Sequence, residues 1–328
     1  MLRQSTFENE ILLQRVFNES LGGCSMGVSL EYGERDSTAL TLFALIIVSG
    51  LSIVAFIHWE VFTLIEDTAS TFHSSWAPLE VVIVWRFLCF FAGASAVVYM
   101  FRSGPGVMTV ILHKERKDAL MHPVGFEKFV TFSSWTLVMN ILYFLCAGIL
   151  SVSVLKGNET PLWLNITQVV LFSAAFGASF LTATVVRYII LPGEVRIGRN
   201  HDHMFNFHNQ MMHNFTALFL VLDLLLVQPE LFPQFAFFGM ILGSIYATFA
   251  FFFAFFGGGY YAYSFIDPRL RYGPLWLSGL AGAIALFYLG LWCVTQLLSY
   301  NVLIGTTVLV IWVSLIVQFS PTLTQNSG

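Results

Sequence analysis

Residues 232–256 read FPQFAFFGMILGSIYATFAFFFAFF, with no charged side chain among them. An α-helix needs about 20 predominantly apolar residues to cross a bilayer, so this run is read as a membrane span. Elsewhere in the chain the pattern recurs at roughly 40–64, 81–101, 127–155, 164–191, 206–228, 275–298 and 301–319. Polar or proline-containing breaks separate most of them, among them Pro161, Pro192-Gly193 and Pro229. The last two are joined only by Ser299-Tyr300-Asn301. Read as one helix they would need about 45 residues, far more than a bilayer requires, so they are split. The expected fold is all-α: a polytopic transmembrane helical bundle of about eight spans. It is divided into a cytoplasmic N-terminal extension (1–39), a membrane domain (40–319) and a cytoplasmic tail (320–328).

Composition agrees. Of the 328 residues 57% are hydrophobic and 10% charged, and 34 are Phe; a soluble domain carries about 25% charged residues. The net charge of −4 and the lack of a basic cluster argue against a nucleic-acid partner. Three of the four cysteines (Cys89, Cys146, Cys293) sit inside apolar runs, and with Cys24 they form no zinc, redox or disulfide spacing. No cleavable signal peptide is read; the run starting near Leu40 serves as its own anchor. Ile11 to Phe17 is read as a helix lying on the membrane.

Charge orients the bundle. Arg86 lies within a span; of the other Lys and Arg, 13 fall on the side of the termini and even-numbered loops and only Lys156 on the other. The positive-inside rule then puts both termini in the cytoplasm. The sequon Asn158-Glu159-Thr160 faces the lumen or exterior. The expected location is an integral membrane protein of the endoplasmic reticulum or plasma membrane.

Ionisable side chains inside spans each need an explanation, because hydrocarbon does not solvate them. His58, Glu60 and Arg86 fall in the outer third of adjacent helices, and the plain reading is a Glu60–Arg86 ion pair. Asp223 lies too far along its helix from His213 to orient that ring, so a hydrogen bond across the bundle is expected of it. His201, His203, His208 and His213 cluster in sequence, yet His208 and His213 fall on different helix faces, and no metal or other cofactor is expected.

Thr131 and His213 share a depth. If their helices start near Phe126 and near Phe205 to Phe207, Thr131 lies about 8 Å and His213 about 8–11 Å inside them, both in the cytoplasmic leaflet. A hydroxyl becomes a useful nucleophile when a base removes its proton, and histidine is the natural base. Such a pair at the depth of acyl carboxyl groups suits cleavage of a lipid ester. Asn209, four residues before His213, shares its face and is a candidate oxyanion donor or ring-orienting group. Glu127 and Asp202 are further candidates for orienting the ring.

These segments resemble the androgen-induced and androgen-dependent family of integral-membrane threonine hydrolases. That family carries its nucleophile in a Lys-aromatic-Leu-Thr-Phe segment, which Lys128-Phe129-Val130-Thr131-Phe132 matches with one conservative change. Its Asn-His-x-Met-His motif is matched by Asn209, Met212 and His213, and Asp223 falls where the family has an acid. Tyr263-Ser264-Phe265-Ile266 is similar to a third segment. Glu127, Gln210 and Ser264 depart from the family pattern. The resemblance spans about residues 79–298. It implies hydrolysis of fatty acid esters of hydroxy fatty acids, with Thr131 and His213 catalytic, and lipid ester substrate and membrane lipids as partners. The competing expectation is a non-enzymatic lipid-binding regulator or a small-solute transporter.

Overall fold

A computed structural model describes residues 32–33, 35–72, 76–196, 198 and 200–321. The expected surface helix at 11–17, nearly all of the N-terminal extension and the tail beyond 321 lie outside these residues. The described chain is a polytopic helical bundle: α1 (Thr38–His58), α2 (Val61–Thr71), α3 (Leu79–Arg102), α4 (Phe132–Leu155), α5 (Leu162–Arg196), α6 (Phe207–Val227), α7 (Ala236–Phe256), α8 (Gly273–Tyr300) and α9 (Val302–Ile316). Seven of these helices, all but α2 and α9, are long and apolar enough to cross a membrane. They make the protein an integral membrane protein.

Local chemistry sets the boundaries. The first expected span, 40–64, is interrupted: Glu60 takes φ 47°, in the left-handed region, so α1 stops and α2 starts on a new axis. The split between the last two helices falls at Asn301, whose extended backbone ends α8 and whose side chain accepts from Ile304 N at 3.1 Å to start α9. At about 1.5 Å per residue α9 is only about 22 Å long. Arg187 of α5 closes its far end by donating to Ser314 O at 3.1 Å and to Val317 O.

Two helices contain π turns, Val186–Ile190 in α5 and Met211–Phe215 in α6. Such turns widen a helix locally and are frequent at functional sites.

Packing is closest where α5, α7 and α8 meet at Ile284. A Cβ added at Gly177 would lie 2.8 Å from Ile284 O, and one at Gly243 2.9 Å from its Cδ1. One at Gly239 would overlap Ile284 Cγ2. Small residues here let three helices approach around one branched side chain, the usual way helices associate without a hydrophobic drive between them.

A second fixed point is polar. Arg86 of α3 is wholly buried and donates to Asp223 of α6 through Nε (3.0 Å) and Nη2 (3.2 Å), and to Ser151 Oγ of α4 at 2.6 Å. The Tyr143 hydroxyl also donates to Asp223. The expected Glu60–Arg86 pair is therefore corrected. Glu60 is exposed at the turn after α1, and Arg86 faces inward instead. Asp223 makes the bond across the bundle expected of it.

Two loops carrying six of the 15 Lys and Arg residues fold into a small cap, which lies outside an all-helical expectation. Strand β1 (Met108–Leu112) pairs antiparallel with β2 (Asp118–Met121) on one side and β3 (Tyr260–Tyr261) on the other. Arg269 clamps it, binding Asp267 through Nε (2.8 Å) and Nη2 (2.6 Å) and donating to His113 O. The Tyr32 hydroxyl donates to the same carboxylate at 2.9 Å.

Candidate functional site

Thr131 stands just ahead of α4, not about 8 Å inside it. Gly125 at φ 55° opens a 3-10 turn over Gly125–Val130, and the α-helix begins only at Phe132 with Thr131 as its N-cap. The Glu127 carboxylate accepts from Val124 N at 3.4 Å, which ties it to this turn and away from any histidine.

The turn is held unusually firmly. Three successive carbonyls each accept a side-chain hydrogen bond: Lys128 O from Ser134 Oγ (2.8 Å), Phe129 O from Trp135 Nε1 (3.0 Å) and Val130 O from the Tyr246 hydroxyl (2.9 Å). Lys128 folds back so that its ammonium caps the end of α3, donating to Met100 O and Gly104 O. Burial pushes the Lys128 amine below its ordinary value.

Thr131 Oγ accepts from Ser134 N at 3.3 Å and from Ser133 Oγ at 3.2 Å, and lies 2.5 Å from Ser134 Oγ. Ser134 spends its own proton on Lys128 O, so in the 2.5 Å contact Thr131 is the donor. The Tyr263 phenol lies against the same group: burial pushes it up, while contacts with Ser133 and Thr131 pull it down. Thr131 is thus half-buried within a cluster of four hydroxyls at the N-terminus of a 24-residue helix. First-turn N–H groups have no partner within their helix, and the helix dipole there favours negative charge.

Beside this cluster a cavity of about 710 Å³ opens between α1, α5, α7 and α8. Phe132, Tyr246 and Tyr263 line it near the hydroxyls, and Gly243, Ala281 and Ile284 line it farther in. Its other walls are almost wholly aliphatic. The apolar lining suits an acyl chain.

His213 lies six residues into α6, about 9 Å along its axis and within the expected depth. It sits in the π turn and borders a second cavity of about 280 Å³ with Arg187, Met204, Asn214 and Gln318. Among the described residues its side chain makes no hydrogen bond, and none joins it to Thr131. The first cavity approaches Thr131 and the second holds His213; Val186 of α5 lines both. Asn209 donates to His203 O at 2.8 Å, which fastens the start of α6 to the preceding turn and occupies its amide. Asp202 is exposed. No group of three or more metal-ligating side chains occurs among the described residues.

Comparison with protein-family models, curated proteins and solved structures returns no match.

Sequence reasoning passed over Ser133, Ser134 and Tyr246. The available signal was Thr131 itself, since a threonine just ahead of an apolar run is a common helix N-cap. Tyr263 had been noticed only through the resemblance. Nothing local to Tyr246 indicates that it reaches Val130, 116 residues away.

Proposed function

We propose that this protein takes an acyl lipid from the bilayer into the 710 Å³ cavity and hydrolyses its ester bond, with Thr131 as nucleophile and His213 as general base. The observation that carries the reading is the position of Thr131. Its hydroxyl stands at a helix N-terminus beside an apolar cavity, where the helix dipole favours the negative charge of an oxyanion. The resemblance to membrane threonine hydrolases supports it. Thr131 Oγ attacks the ester carbonyl, the proton passes to the imidazole and on to the leaving alkoxide, and water then cleaves the acyl-threonine. The reaction requires His213 to close on Thr131 past Val186 when substrate is bound.

Purified protein in nanodiscs, given a fatty acid ester of a hydroxy fatty acid, should release both acids. Thr131→Ala and His213→Ala should each lower turnover by about 10²–10⁴-fold, the usual loss when a catalytic base goes. Undiminished turnover in either variant removes the mechanism.

One observation favours a second reading, a non-enzymatic lipid-binding protein. The Thr131 proton runs to Ser134 and ends at a carbonyl, so the hydroxyl already serves as a saturated helix cap. Stoichiometric lipid binding without turnover, and no labelling of Thr131 by a hydroxyl-directed phosphonate, would select this reading.

A further inference from the structure

The smaller cavity holds a cation, Arg187, that the hydrolase reading does not use. Arg187 lines it, lies over the Tyr188 ring (5.6 Å to its centroid) and spends only Nη1 on the end of α9, leaving Nε and Nη2 without a hydrogen bond among the described residues. The His213 imidazole faces the same space, also unpaired, and Asn214 and Gln318 complete the polar part of the wall. No acidic side chain lines it. A guanidinium with two free donors beside an imidazole, in a pocket without a carboxylate, is an incomplete pair.

The neighbouring cavity supplies the rest of a ligand. Val186 is a wall of both spaces and lies at the start of the π turn, where the α5 ladder is widened. Among the described residues Val186 is the one side chain that lines both spaces, so a shift of this residue would join them. We propose that the two cavities form one binding site for a free fatty acid, with its carboxylate on Arg187 and His213 and its chain past Val186 in the larger space. A planar guanidinium edge matches the two oxygens of a carboxylate. This site needs no reaction at Thr131 and stands whether or not the protein is a hydrolase.

The test measures equilibrium binding of radiolabelled palmitic acid to the full chain in nanodiscs, against hexadecanol and palmitoyl lysophosphatidic acid as competitors. Palmitic acid should bind saturably and at least tenfold more tightly than either competitor. Arg187→Gln should weaken it at least tenfold and Arg187→Lys should restore most of the loss. Because Arg187 also closes α9, a second variant leaves that contact intact: Val186→Phe should abolish palmitate binding while the protein keeps its thermal midpoint. Equal affinity for hexadecanol, tighter binding of lysophosphatidic acid, or unchanged palmitate binding in Val186→Phe would each overturn the proposal.

Discussion

Arg86 and Asp223 show what single residues contribute inside this bundle. Both are stripped of solvent, and their bidentate contact with help from Ser151 and Tyr143 leaves few donors or acceptors idle. Removing one partner strands the other, so Arg86→Ala should cost about 3–5 kcal/mol of stability, while Arg86→Met with Asp223→Leu should recover most of it. Unfolding in graded detergent denaturant, run on both singles and the double, gives the coupling. That Arg86 needed an anionic partner was legible in the sequence; which one was not, because Asp223 is 137 residues away and only helix adjacency selects it. His113 in the cap offers a pH test. Burial, then the Arg269 guanidinium, holds its imidazole below the ordinary value. The unfolded chain therefore binds the proton first, so the stabilisation is whole above about pH 6.5 and is lost as pH falls toward the lowered folded value. Hydrogen-exchange protection of the Tyr260 and Tyr261 amides should drop below that point in the wild type, and His113→Gln should flatten the dependence.

Among the elements, helix existence was readable and helix ends were less so. Apolar runs of span length announce themselves, and the division at Asn301 followed from length alone. The break at Glu60 did not, since nothing in Trp59-Glu60-Val61 demands a left-handed residue. Likewise the late start of α4 depends on Gly125 turning to φ 55° and on three side chains holding the carbonyls that follow. The π turns at Val186 and Met211 leave no sequence mark at all, yet they shape the walls around His213. The junction of α5, α7 and α8 is where packing between elements can be tested. Gly239→Ala forces a methyl into Ile284 Cγ2 and should destabilise by about 1–3 kcal/mol. In an Ile284→Ala background the same change should cost far less, because the clashing methyl is gone. Equal penalties in both backgrounds, read from thermal unfolding, would mean that the helices are not locked at this point.

For the molecule as a whole, the split of positive charge makes a prediction about orientation. The basic loops gather at one end, where β1, β2 and β3 form the cap, and Lys156 lies alone at the other between α4 and α5. Lys and Arg resist translocation, so the cap end is predicted to face the cytoplasm and the α4–α5 loop the other side. This placement also puts Thr131, at the cap end of α4, and Arg187, near the last turns of α5, close to the inner headgroups. A lipid would then meet both from the cytoplasmic leaflet. In a variant lacking Cys24, Cys89, Cys146 and Cys293, a cysteine placed by Arg116→Cys should react with a membrane-impermeant maleimide only after cells are permeabilised. One placed by Lys156→Cys, if the protein is at the cell surface, should react in intact cells; in internal membranes, Asn158 should carry glycan. The reverse labelling pattern would turn the bundle over and place both cavities' polar ends in the opposite leaflet, so the fatty acid would have to be delivered from the lumenal or outer side.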